Sequence, residues 1–278
     1  FEGAARAKVY ALVGASMAIA AAIGPLIGGV ITTFWSWRIN FALESIIIAV
    51  VLSGVRLIKD VPFTGDRSID YVGAGLSVVG MGGVVLGILV WQEGGEAVLA
   101  LVAVGAVGLF SLARWLVKRK RDGKPFLLDP SLFDSPHFRI GISQQTLQQI
   151  ALGGAMIVIP MFLQIALEYN ALEAGLAITP LSLSMFVVAL IVGRRAGKRR
   201  PAVIVRTGFA LALLGMLLVI PVVPRGEASQ GAWVLLVPLL IAGSGLGLLV
   251  SQLNNFTLAP IAEERASEAA GVNSAGGN

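Results

Sequence analysis

The sequence predicts an all-α membrane protein, a polytopic helix bundle with eight transmembrane helices. Three observations predict it. The first is composition: 56% of the 278 residues are hydrophobic, only 13% are charged, and the mean hydropathy is +0.84. Soluble domains carry about 25% charged residues, so this chain cannot cover itself against water and lipid must cover it. The second is length: apolar stretches long enough to cross a bilayer, roughly 20 residues at 1.5 Å each, recur along the whole chain. The third is the sidedness of the basic residues between them.

In order, the expected spans are 9–33, 41–58, 70–91, 97–117, 138–166, 173–192, 203–223 and 233–258. Short polar gaps separate them at 56–70, 92–96, 118–136, 168–173, 193–201 and 224–230. Basic residues remain cytoplasmic. With an inside start, all but Arg38 and Arg225 of the 21 lysines and arginines fall on the cytoplasmic side. One span more or fewer would scramble that alternation. The gap 118–136 is the longest and most charged, and Pro125, Pro130 and Pro136 interrupt any continuous helix there. It reads as a cytoplasmic linker between two helix groups, with Phe126-Leu127-Leu128 resting on protein or headgroups.

Glycine spacing predicts tight packing. Gly24 and Gly28, Gly83 and Gly87, and Gly243 and Gly247 each place two small residues on one helix face. Such faces let backbones approach where lipid supplies no hydrophobic drive between helices.

Composition also excludes classes of function. There is no cysteine, and His137 is the single histidine, a loop residue to which no function is assigned. Thiol chemistry, disulfides, thiolate metal sites and histidine clusters are therefore excluded. No nucleophile–base–acid set is visible, and no Gly-rich Lys-Ser/Thr loop for a nucleotide, so neither an enzyme nor a cofactor is expected. The net charge of +5 sits in the gaps between apolar runs, which argues against nucleic acid as a partner. The chain starts at Phe1 and ends in the small-residue stretch 271–278, and reads as an interior segment of a longer protein.

Gly24-Pro25-Leu26-Ile27-Gly28-Gly29 is the most specific stretch. Pro25 removes a backbone donor and bends the helix, and the glycines leave a smooth groove. The pattern resembles the antiporter signature (motif C) in the fifth helix of major facilitator superfamily exporters, with Ala20 where the signature has an earlier glycine. Further matches follow along the chain. Trp37-Arg38 with Phe41 resembles the turn between helices five and six of the fourteen-helix drug:proton antiporters, and Asp70-Tyr71-Val72-Gly73 the start of the next helix. Gln164, Ala174-Gly175-Leu176 and Pro180 are similar to helices nine and ten. The stretch 193–200 resembles a degenerate second copy of the basic motif A, with Gly197 at the aspartate position. Ala270-Gly271-Val272-Asn273 resembles the approach to helix thirteen.

The resemblance implies helices five to twelve of fourteen. Residues 1–60 become the end of the N-terminal six-helix half and 61–120 the two additional central helices. Residues 121–137 become the cytoplasmic linker and 138–278 the start of the C-terminal half. It implies a secondary active transporter, with proton-coupled export of drugs or hydrophobic small molecules by alternating access. The implied partners are a small-molecule substrate, the proton, the lipid bilayer and the missing helices. The implied place is the bacterial plasma membrane. A dedicated exporter of an endogenous metabolite or lipid stays open beside this, and a membrane receptor or membrane-embedded enzyme is the reading outside transport.

Candidate site residues follow from polarity inside apolar runs. Glu44 is the acidic residue within a span, and such carboxylates are costly and often functional. It is either a proton-coupling group or a structural carboxylate paired with Arg38. Gln144, Gln145, Gln148 and Gln149 form a polar band approaching mid-membrane, and Gln252 and Asn255, with Ser251 and Asn254, form a second. Both bands either line a substrate cavity or hydrogen-bond helix to helix. Their uncharged amides suit a neutral or amphipathic substrate. The basic run Arg194, Arg195, Lys198, Arg199 and Arg200 sets orientation, with lipid binding or gating as further roles.

Overall fold

The computed structural model describes residues 16, 20, 23–57, 70–92, 94–124, 126–194, 200–221, 231–258, 261 and 266–277. Among these there is no strand. Nine helices appear: α1 (Ile23–Phe34), α2 (Trp37–Ser53), α3 (Tyr71–Gln92), α4 (Val98–Arg121), α5 (Pro136–Ala166), α6 (Ala171–Arg194), α7 (Pro201–Val219), α8 (Leu236–Leu258) and α9 (Ala266–Gly277). Seven, from α2 to α8, are long and apolar enough to cross a membrane. They coincide with seven of the eight expected spans. The remaining one, 9–33, is described from Ile23 onward as the apolar α1.

The ends differ from expectation by a few residues, for local reasons. α2 starts at Trp37 because Ser36 caps it, its Oγ accepting from the Arg38 N–H at 3.3 Å. α4 runs on through Lys118, Arg119, Lys120 and Arg121. Cations in a last turn complement the negative end of the helix dipole, so the basic run extends the helix where hydropathy alone ends it. Pro201 opens α7 at a position where its missing N–H costs nothing. In the linker, Pro130–Asp134 forms one 3₁₀ turn that buries Leu132.

The chain divides into two compact units, residues 60–138 and residues 1–59 with 139–278. In the smaller unit α3 lies against α4 through glycine. A β-carbon built on Gly83 would stand 2.7 Å from the Gly105 nitrogen, and one on Gly108 would stand 2.8 Å from Gly80 Cα. In the larger unit α8 is central. Its Gly243 and Gly247 meet the Leu181 and Met185 carbonyls of α6, while Gly245 meets Gly208 and Ala212 of α7. Ala155, Ile159 and Leu163 of α5 join the same buried cluster. In lipid, burying a leucine gains little over leaving it exposed, so this close backbone approach is what holds the helices together.

The end of α8 carries α9. Asn273 Nδ2 donates to Asn254 Oδ1 at 2.7 Å. Asn254→Ala should therefore loosen α9 by about 1 kcal/mol. The expected readout is faster amide exchange across α9 with α8 unchanged; equal protection in both proteins would refute it.

Candidate functional site

The signature helix α1 meets the start of α6. Asn170 caps α6: its Oδ1 accepts the Glu173 N–H at 2.9 Å, and Glu173 Oε2 accepts the Asn170 N–H at 2.9 Å. This reciprocal box satisfies two of the backbone donors at the helix start. A third, the Leu172 N–H, is satisfied from α1 by Thr33 Oγ1 at 3.1 Å. One and two turns earlier on the same face, Gly29 and Pro25 continue the joint. A β-carbon on Gly29 would stand 2.8 Å from the Ala171 carbonyl oxygen, and one on Gly175 2.7 Å from that of Pro25. The joint is thus backbone against backbone.

Gly24 and Gly28, expected as the packing pair, have nothing within 4 Å among the described residues. Gly29 makes the contact instead. Spacing shows that two glycines share a face but not which face receives a neighbour, and the α6 start arrives on the side of Pro25, Gly29 and Thr33.

The two polar bands separate into buried and exposed members. On α5, Gln148 is 2% exposed with Nε2 unpartnered, and Gln144 Oε1, one turn away, is also buried without a partner. Gln145 and Gln149 are half-buried. On α8, Gln252 is buried but Asn255 is exposed. Asn254, also exposed, is taken up by the α9 contact. α5 and α8 meet where Gly141 receives the Thr257 side chain. Gln144, Gln148 and Gln252 lie only about 5 to 10 Å along their helices from that contact at 1.5 Å per residue. Ser182 of α6, fully buried, also leaves its Oγ without a partner. Sequence reading missed it, because a serine in an apolar run usually bonds its own helix.

Glu44 is exposed on α2, a helix with no buried residue. The pairing with Arg38 is absent: the Arg38 guanidinium lies 5.4 Å from the Trp37 ring centroid. Of the basic run, Arg194 ends α6 and Arg200 precedes α7 without a side-chain cap, both exposed. Arg195, Lys198 and Arg199 lie outside the described residues.

The smaller unit contains a polar centre that the sequence shows only as an aspartate before an apolar run. Asp70 is 5% exposed. Its Oδ1 accepts the Gly73 N–H at 2.9 Å and Trp115 Nε1 at 3.0 Å, and Arg119 Nε stands 3.8 Å from Oδ2. Gly73 is needed because a β-carbon there would overlap the Asp70 carboxylate. Burial pushes the carboxyl upward. The Gly73 N–H, the Trp115 indole, the Arg119 charge and the Leu127 backbone more than offset it, and hold it below the ordinary aspartate value. The signal available in sequence was the cap pattern Asp-x-x-Gly ahead of an apolar helix.

Among the described residues no group of three or more His, Cys, Asp or Glu could hold a metal ion. The chain is similar to proteins named for multidrug export, multidrug resistance or transport. It is 29% identical to the multidrug export protein EmrB of Escherichia coli, over 98% of this chain and 53% of that protein. It is 26% identical to the multidrug resistance protein Stp of Mycobacterium tuberculosis, over 99% of this chain and 50% of that protein. It is 23% identical to the probable actinorhodin transporter of Streptomyces coelicolor, over 96% of this chain and 47% of that protein. The chain spans about half the length of these curated relatives. The family model described as Major Facilitator Superfamily matches residues 1–278. Apolar helices joined backbone to backbone, and matched from end to end by that family, make this a multi-pass integral protein of the plasma membrane, and the chain belongs to the Major Facilitator Superfamily.

Proposed function

We propose that the full-length protein exports drugs or other hydrophobic small molecules, driven by proton entry, through alternating access. The observation that carries the reading is the α1–α6 joint. Pro25, Gly29 and Gly175 touch through backbone atoms, and one interhelical hydrogen bond, Thr33 to Leu172, crosses between the helices. Where backbone meets backbone at these glycines no side chain has to disengage, so such a contact can part and re-form at low cost, as an outer gate must. The similarity to a protein named for multidrug export supports the direction, and that to a second named for multidrug resistance supports the substrate class.

Within this reading, Gln144, Gln148 and Gln252 line the substrate path. A buried amide without a partner loses about 1–3 kcal/mol, and a substrate carbonyl or hydroxyl recovers it. Glu44 carries the proton. Residues 60–138 are the two additional helices with the linker, and residues 1–59 and 139–278 belong to the two transporting halves. The basic residues Arg194, Arg195, Lys198, Arg199 and Arg200 hold the cytoplasmic side. The similarity to a probable actinorhodin transporter favours a second reading, a dedicated exporter of an endogenous metabolite.

Two experiments test this. Full-length protein in liposomes under an imposed pH gradient should move chemically different hydrophobic compounds. Glu44→Gln should uncouple that movement from the gradient, and Gln148→Ala should slow it roughly tenfold, the equivalent of one buried hydrogen bond. Movement indifferent to pH would remove proton coupling. Movement of a single compound class would favour the metabolite exporter. Second, these 278 residues contain no cysteine, so a pair introduced here supplies the thiols of this segment for a cross-link. Oxidising Thr33→Cys with Leu172→Cys should stop export, and reduction should restore it. Unchanged export with the cross-link formed would sink the gate.

A further inference from the structure

A densely charged surface among the described residues of 60–138 plays no part in that reading. One side of α4 packs on α3 through Gly105 and Gly108. Its last two turns carry Arg114, Lys118, Arg119, Lys120 and Arg121. Two of these are neutralised within the unit: Arg119 lies against Asp70, and Lys120 Nζ is 2.8 Å from Asp129 Oδ1. Arg114, Lys118 and Arg121 are exposed, and among the described residues no carboxylate pairs with them.

These three are not scattered. With 3.6 residues per turn they fall within about 40° of one line along the helix. Phe110 and Val107, 64% and 65% exposed, continue that line away from the charged end. The Arg114 guanidinium lies 5.8 Å from the Phe110 ring centroid, so the cationic and apolar stretches join without a gap. The C-cap Asp122 stands at the edge of the stripe and leaves a net excess of positive charge. Keeping basic residues on the cytoplasmic side needs no such alignment, since cations anywhere in the loop satisfy it. Arg114 lies three residues before Val117, the last apolar position of α4, and so about 5 Å into the apolar run, where a guanidinium needs an anion or water at lipid depth.

We propose that this face of α4 binds an anionic phospholipid. Arg114, Lys118 and Arg121 hold the phosphate and headgroup, and an acyl chain lies along Phe110 and Val107. Charge complementarity selects an anion, and the adjoining apolar stripe selects one with a hydrocarbon tail. A free phosphate would use only half of the surface.

The test is native mass spectrometry of the full-length protein with phosphatidylglycerol or phosphatidylcholine. The expected result is one retained phosphatidylglycerol and no retained phosphatidylcholine. Removing the three cations together (Arg114→Gln, Lys118→Gln, Arg121→Gln) should weaken retention on the order of a hundredfold, about fivefold per cation. A control lacking Arg56, Arg139 and Arg206, each exchanged for Gln, loses the same charge elsewhere and should retain the lipid within about twofold. Phe110→Ala should weaken retention with every charge intact. Undiminished binding by the first variant overturns the site. So do equal losses in variant and control, which mean diffuse attraction only, and equal retention of phosphatidylcholine. Should the triple variant fold poorly, Arg114→Gln alone decides: about fivefold weaker binding supports the site, and unchanged binding overturns it.

Discussion

Replacing Gly247 by valine is expected to unseat α8 from α6 and to lower the thermal stability of the larger unit. The β-carbon alone would overlap the Met185 carbonyl, and a backbone carbonyl in mid-helix cannot rotate aside as a side chain can. Overpacking of a rigid site typically costs about 1–3 kcal/mol. The upper end applies here because α8 is held from both sides: Gly243 and Gly247 face α6 and Gly245 faces α7. A shift of α8 that relieves one contact tightens the other. The measurement is thermal unfolding in detergent, with Gly153→Ala and Gly154→Ala as comparisons. Among the described residues those two glycines have nothing within 4 Å, and alanine there should gain about 0.5–1 kcal/mol from helix propensity. Equal melting of all three variants would show that glycine contact does not hold this bundle.

Asp70→Asn should have the second largest effect, confined to residues 60–138. The amide keeps the shape but loses the charge that Arg119 faces, and one of its two acceptor oxygens becomes a donor pointing at donors. Breaking a fully buried pair costs about 3–5 kcal/mol. Arg119 is 20% exposed and stands 3.8 Å away, so about 2–3 kcal/mol is expected after that discount. The pH dependence has a definite sign. Folding lowers the Asp70 carboxyl below its ordinary value of 3.8. Its stabilisation is therefore complete above that value and is lost as pH falls through the lower, folded-state value. Wild-type stability contributed by this group should be flat near neutrality and fall below about pH 4, and the Asn variant should lack that acid limb. A variant as stable as wild type with the same acid limb would assign the limb to another carboxylate.

Comparison of residues shows which features were legible in the sequence. Gly83 with Gly87 and Gly243 with Gly247 stood out by spacing and do meet neighbouring helices. Gly24 with Gly28 had the same spacing and, among the described residues, do not. The pattern is identical in all three pairs; the difference lies in whether another helix passes that face. Gln252 and Asn255 likewise look equivalent at three residues apart, yet one is buried and the other exposed. Asp70 appeared only as a helix start, because its partners Trp115 and Arg119 are 45 and 49 positions away.

By itself the sequence determined the solvent, the number and order of apolar helices, and their approximate ends. Those properties depend on hydropathy summed over a window and on residues within one turn, such as Ser36 at α2 or Asn170 and Glu173 at α6. Only the tertiary structure decided which glycines carry contacts, which amides are left buried without partners, and which of α4's cations remain unpaired. Each of those depends on a second helix meeting one side of the first. In lipid no hydrophobic gradient marks that side in advance, so close packing and paired polar atoms decide it.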